Sequence, residues 1–168
     1  MNIMTQNLED FRKSSDGKII QGASHTCRIL NHKNRNKIII KAVCDLRKMA
    51  DEFDSIACCG VSGLMVVPQI AELLNKNIVV VRKPDEERYS NFWIEGASPY
   101  RYVVVDDLIC SGNTFKWIRQ AIYEDNPKAK CAGLYCYIPD ECAYTMDTTK
   151  EFERRYRVPL LNPAPSRT

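Results

Sequence analysis

The chain is poor in the features that would make its function obvious. No stretch of its 168 residues approaches the roughly twenty apolar residues needed to span a bilayer. The first residues, MNIMTQNLEDFRKSSDGK, contain no apolar core of a secretory signal. Eight cysteines are present, yet no C-x-x-C pair occurs, and the two histidines, His25 and His32, complete no zinc spacing. Reduced thiols are therefore expected and, with no export signal, a cytoplasmic location. A net charge of +3 is too small to argue for a nucleic-acid binder and permits only a weak preference for anionic ligands. Neither G-x-x-x-x-G-K-[ST] nor G-x-G-x-x-G is found, so the motifs of P-loop and dinucleotide sites are missing. There is also no internal repeat, low-complexity segment or linker, so a single domain over 1–168 is expected.

What is present is an alternation of strand and helix patterns. Ser55–Cys59, Asn77–Val81, the run Arg101–Asp107 and Lys130–Ile138 read as apolar strands. Between the first two, Leu64, Val67, Ile70, Ala71 and Leu74 recur at helical spacing, and Pro68 should kink that helix or mark its true start. Between the last two, Phe115, Ile118, Ile122 and Tyr123 form one stripe of a helix. Short apolar strands alternating with helices predict an α/β fold, a Rossmann-like and mostly parallel sheet with helices on both faces. Upstream, TCRIL and KIIIK flank NHKNRN as an expected antiparallel hairpin, and AVCDLRKMADEF reads as a helix leading into the sheet. The segment 83–100 breaks the rhythm; its length and its Tyr89, Phe92 and Trp93 suggest a lid.

The most informative stretch is YVVVDDLICSGNT, Tyr102–Thr114. An apolar strand ends on Asp106 and Asp107, and a small turn, Cys110, Ser111, Gly112, Asn113 and Thr114, opens a helix. Ligands of open parallel sheets bind beyond the carboxyl ends of the strands. There the turn offers consecutive backbone N–H groups, hydroxyls and a helix N-terminus, the parts of a monophosphate cradle. Two carboxylates beside a phosphate site would repel a bare anion. They fit a ligand that also presents hydroxyls, or a bridging Mg²⁺. A ribose 5-phosphate satisfies both halves. The bland alternative is that Asp107 ends a strand while Ser111 or Asn113 caps a helix.

VVVDDLICSGNTF resembles the signature of the type I phosphoribosyltransferases, which move ribose 5-phosphate from phosphoribosyl pyrophosphate to a nitrogenous base. Asn113 departs from the Thr-Gly-Gly-Thr pattern frequent in that family. The resemblance extends upstream: Ile56–Pro84 is similar in register to the adenine phosphoribosyltransferases. It implies that Gly60, Val61, Ser62 and Gly63 form a pyrophosphate loop and that Arg82 and Lys83 meet the pyrophosphate. Ser62 stands where those enzymes usually carry arginine, a lost cation for which Arg88 is a candidate replacement. The segment ERYSNFWIEG is similar to the family's lid, which makes Glu95 a candidate proton relay for the base.

The resemblance further implies a hood of terminal segments, about 1–35 and 138–168, around a core of about 36–137. Tyr144 in the second segment is a candidate to stack on the base. By the same resemblance, Asp106, Asp107, Lys83 and Glu95 are the candidate catalytic residues, with Asp106 and Asp107 as the Mg²⁺ ligands. The expected partners are phosphoribosyl pyrophosphate and a nucleobase. Adenine is preferred over a 6-oxopurine and orotate, and a homodimer is expected. The alternative is a regulator of the same fold that senses phosphoribosyl pyrophosphate and binds nucleic acid without turnover. For this RILNHKNRNKIIIK and KEFERRYR would be the basic patches.

Overall fold

A computed structural model describes residues 12–13, 19–20, 29–84, 92–138 and 149–162. The chain divides into two compact units, Met1–Ile38 and Ile39–Thr168. In the first, the strands β1 (Arg12–Lys13) and β2 (Ile19–Ile20) pair antiparallel. Much of the expected hood, including Tyr144, lies outside the described residues, as do Arg88 and Tyr89.

The expected hairpin around NHKNRN is replaced by a helix, α1 (His32–Arg47), which takes in the whole of KIIIK. Ile39, Ala42, Val43 and Leu46 are buried on it at the i, i+3, i+4, i+7 spacing of one helix face. The β-propensity of three successive isoleucines is a local preference, and burial of that stripe overrides it. The helix read in AVCDLRKMADEF is therefore the end of α1, followed by a short 3₁₀ turn at Ala50–Glu52.

The second unit is built on a five-stranded sheet of order β5-β4-β3-β6-β7. Its members are β3 (Ser55–Cys59), β4 (Asn77–Val81), β5 (Ile94–Gly96), β6 (Arg101–Asp106) and β7 (Lys130–Cys136). All neighbours are parallel except the edge pair β4–β5. The mostly parallel sheet read from the sequence is thus the fold of the chain. Every residue of β3 is buried, as a strand covered on both faces requires.

Two helices, α2 (Gly60–Leu64) and α3 (Val67–Leu74), connect β3 to β4. Pro68 lies in the first turn of α3, the helix position that tolerates a missing N–H, and so marks a true start. Leu64 is exposed, because the break after α2 takes it off the stripe of Val67, Ile70, Ala71 and Leu74. From β6 the chain enters α4 (Asn113–Asp125), which buries Phe115, Ile118, Ala121 and Ile122. Tyr123, expected on that stripe, is 59% exposed; Ala121 fills the place beside Ile122 instead.

After β7, helix α5 (Thr149–Tyr156) buries Phe152 and Tyr156 against Phe115 of α4, with ring centroids 5.7 and 5.2 Å apart. The following segment runs along β7. Leu134 N–H donates to the Pro159 carbonyl (3.0 Å), and Leu161 N–H donates to the Leu134 carbonyl (2.9 Å). Asn162 then brackets Cys136 with its side-chain amide. The segment 83–100 is not loop throughout, because β5 adds to the sheet edge there.

One detail of register decides where a ligand can sit. The β3–β4 ladder runs to Cys59 and Val81, and β6–β7 runs to Asp106 and Cys136, but β3–β6 stops at Ala57 and Val104. The two central strands therefore part at their carboxyl ends. The chain leaves β3 towards β4 and leaves β6 towards β7, so this gap is the topological switch point of the sheet.

Candidate functional site

Of the residues singled out from the sequence, Asp106, Asp107, the Gly112 turn, Gly60–Gly63 and Lys83 flank this gap, while Arg82 and Glu95 meet at the β4–β5 edge. β6 ends on Asp106, 8% exposed, with Asp107 half-buried after it. Asp106 Oδ1 accepts from the Asp107 backbone N–H at 3.0 Å and, more loosely, from the Ser62 hydroxyl at 3.4 Å. Asp107 Oδ1 accepts from the Leu108 N–H at 2.8 Å. Burial, reinforced by the neighbouring Asp107 charge, pushes the Asp106 carboxyl up to about 7. Burial likewise raises the Cys58 thiol to about 12, with Cys59 and Asp106 adding to it, so this cysteine is a packing group rather than a nucleophile. Among the described residues, six cysteines are free thiols.

A buried carboxylate beside a half-buried one favours a cation or hydroxyl donors. This donor set fits Mg²⁺, which takes one or two carboxylates and completes its shell with ligand oxygens and water. Among the described residues no group of three or more His, Cys, Asp and Glu is assembled. An ion held by Asp106 and Asp107 would therefore be shared with a ligand.

Beyond the acids, Gly112 precedes α4 in the left-handed region (φ 77°). The first amides of a helix have no intrahelical partner, and glycine offers no side chain to cap them. The Asn113 N–H turns to the Ser111 hydroxyl at 3.3 Å. Cys110, Ser111, Asn113 and Thr114 are exposed around a buried Gly112, an open turn on a 13-residue helix whose dipole favours an anion. Gly112 is also closed in from behind, since a Cβ there would lie 2.1 Å from the Tyr156 hydroxyl. Arg119 Nη1 fixes the end of α5 by donating to the Tyr156 carbonyl at 2.7 Å.

Across the gap, Gly60 opens α2, also in the left-handed region (φ 67°). A Cβ on Gly60 would meet Lys83 Cε at 3.1 Å, so the lysine reaches over the start of this turn from the end of β4. Gly63 packs its backbone on Cys58, where a Cβ would come within 2.5 Å of Cys58 Cβ. Val61 is exposed and Ser62 half-buried.

Arg82 and Glu95 are brought together. Arg82 Nε and Nη2 both lie 2.8 Å from Glu95 Oε1, so the guanidinium is held by β5. The Arg82 backbone is held as well, its N–H donating to the Trp93 carbonyl (2.8 Å) and its carbonyl accepting from Trp117 Nε1 (2.7 Å). Trp93 and Trp117 meet edge to face, 4.9 Å between centroids.

Three residues of this region escaped the sequence reading: Tyr137, Tyr156 and Trp117. Tyr137 donates its hydroxyl to the Ser62 carbonyl at 2.9 Å. The only available signal for it was register. A tyrosine just past β7 falls beside the acids of β6 if the two strands end together, as they do.

No protein-family model matches the chain. It is 27% identical over 116 residues to an adenine phosphoribosyltransferase of Petrotoga mobilis; the match covers 60% of this chain and 65% of that protein, just under two thirds of its length. Among solved structures, orotate phosphoribosyltransferase from Aeropyrum pernix superposes with a TM-score of 0.57 at 15% identity, covering 89% of this chain and 82% of that one. Adenine phosphoribosyltransferase from Saccharomyces cerevisiae, complexed with an imino-altritol bisphosphate and adenine, superposes with a TM-score of 0.54 at 17% identity, covering 98% and 96%. The Trypanosoma brucei adenine enzyme, in complex with AMP, pyrophosphate and ribose-5-phosphate, gives 0.56 at 15% identity, covering 83% and 68%. The chain has the fold of the type I phosphoribosyltransferases, and its sequence is similar to an adenine phosphoribosyltransferase.

Proposed function

We propose that the chain is a phosphoribosyltransferase that transfers ribose 5-phosphate from phosphoribosyl pyrophosphate to a nucleobase. One observation supports this reading most: the acid pair that ends β6 and the open turn that begins α4 share the switch-point gap with the Gly60 turn and Lys83. That arrangement offers hydroxyl acceptors, a monophosphate cradle and a cationic anion loop at one place, the parts a phosphorylated sugar carrying a pyrophosphate calls for.

In the proposed reaction a ring nitrogen of the base attacks C1′ of the ribose. The C1′–O bond to pyrophosphate breaks, its electron pair leaves with the pyrophosphate, and the base gives up a proton. Asp106 and Asp107 accept from the ribose hydroxyls and would hold Mg²⁺, which would supply charge neutralisation for the departing pyrophosphate. Cys110 to Thr114 hold the 5-phosphate. Gly60 to Gly63, with Arg82 and Lys83, stabilise the leaving group, and Glu95, gripped by Arg82, is the candidate proton relay. Positioning and charge stabilisation carry the rate. The acceptor is a purine, adenine before a 6-oxopurine and both before orotate, in keeping with the Petrotoga mobilis relative. The proposed setting is a homodimer in the cytoplasm; no helix among the described residues is long and apolar enough to cross a membrane.

The test is pyrophosphate release from phosphoribosyl pyrophosphate with Mg²⁺ and a panel of adenine, hypoxanthine, guanine and orotate. Turnover with adenine is expected. Tight donor binding without turnover on any base, joined to salt-sensitive nucleic-acid affinity, would replace the enzyme by a regulator.

A further inference from the structure

We propose that Tyr137 is a positioning residue that holds the pyrophosphate loop in register with the ribose-binding acids. The inference rests on the transferase reading and deepens it. Tyr137 is fixed to the acid-bearing segment by its backbone. Its N–H donates to the Asp106 carbonyl at 3.0 Å, and the next N–H, of Ile138, donates to the Asp107 carbonyl at 2.8 Å. Its side chain leaves that segment, crosses the gap and donates to the Ser62 carbonyl at 2.9 Å. The Ser62–Asp106 contact spans the same gap at 3.4 Å, at the outer limit of a hydrogen bond, so the phenol is the firmer of these two ties.

The Ser62 carbonyl is in want of a donor for a local reason. In a continuous helix it would accept from the Val66 N–H. Here α2 ends at Leu64, the Val66 N–H turns back to the Gly63 carbonyl, and the Met65 N–H takes the Val61 carbonyl. The break between α2 and α3 thus strands one carbonyl of the loop, and Tyr137 supplies what the helix does not. The phenol suits the task. It is 6% exposed, so its hydroxyl meets the Ser62 carbonyl largely out of water.

The experiment compares wild type and Tyr137→Phe in Mg²⁺ buffer by calorimetry with two probes, inorganic pyrophosphate and ribose 5-phosphate, and by initial rates. The variant is expected to bind pyrophosphate about tenfold more weakly and to raise KM for phosphoribosyl pyrophosphate by about the same factor, the loss of one buried hydrogen bond. Ribose 5-phosphate affinity and KM for the base should not move. Independently of any ligand, amide exchange across Val61–Met65 should quicken in the variant while β7 keeps its protection. Equal losses for both probes, or unchanged pyrophosphate affinity and exchange, would overturn the positioning role alone. A wild type that binds neither probe would overturn the transferase reading and this inference with it.

Discussion

The two glycine turns at the switch point are built from the same idea and different materials. Each begins on a glycine in the left-handed region, Gly112 at the end of β6 and Gly60 at the end of β3. The first opens a helix of 13 residues, so a long dipole contributes to its partial charge. The second opens a helix of five residues, too short to lend much dipole, and a lysine from the neighbouring strand reaches over it instead. Their supports differ as well. Gly112 is backed by the Tyr156 ring, whereas the Gly60–Leu64 turn hangs from the Tyr137 hydroxyl. On the proposed reading, a monophosphate that stays on the sugar would meet backbone amides, and a leaving group that gains charge would meet the full charge of Lys83. The difference suits binding on one side and catalysis on the other.

The largest effect should come from what the two turns share. Replacing Asp106 and Asp107 together by asparagine is expected to lower turnover by at least ~10³-fold while a cooperative melt persists, read by pyrophosphate release and thermal unfolding. Next, Lys83→Ala should cut kcat by about 10²-fold and leave ribose 5-phosphate affinity unchanged; a loss confined to ribose 5-phosphate binding would invert the assignment of the two turns. Gly112→Ala should act on the other side. It places a Cβ 2.1 Å from the Tyr156 hydroxyl at φ 77°, so unfolding free energy should drop by roughly 2–3 kcal/mol and ribose 5-phosphate binding should weaken. Gly60→Ala meets only the flexible end of Lys83 at 3.1 Å and should cost about 1 kcal/mol.

Acid–base behaviour offers a finer test. The Asp106 carboxyl rises from 3.8 to about 7 on folding, so between those values the native state binds the proton that the unfolded chain releases. Stability of the ligand-free protein should therefore fall as pH rises from about 4 to 7, and Asp106→Asn should flatten that slope. Melting curves at pH 5 and 8 would show it, with a gain at pH 8 of about 2–4 °C per kcal/mol recovered. Mg²⁺ should restore the wild type at pH 8. The smallest effect belongs to Glu95→Gln. The Arg82–Glu95 pair is half in solvent, so stability should change by less than about 1 kcal/mol, and any change in kcat would come from the base step.

Much of the second unit was legible because its elements are locally consistent. Ser55–Cys59, Asn77–Val81 and Asn113–Asp125 fall where apolar runs and stripes placed them, since burial and propensity agree there. In KIIIK they disagree, and the face formed by Ile39, Ala42, Val43 and Leu46 wins over the isoleucines' taste for strands. The acids and glycines of the site were legible because they are contiguous in the chain. The ties were not. Tyr137 reaches Ser62 across 75 residues and Trp117 reaches Arg82 across 35, and no periodicity encodes which distant carbonyl will lack a donor.

The edges of the sheet have a consequence for how copies of the chain can meet. One edge is a three-residue antiparallel strand ending on Gly96, and at the other residues 159–162 pair with Leu134 and Cys136 of β7. Unpaired edge strands are templates for strand-by-strand growth, the route to domain swapping and fibrils. With one edge cut short and the other covered over its last residues, this sheet gives such growth less to copy. In the proposed homodimer, association through side chains would keep each gap and its two turns intact.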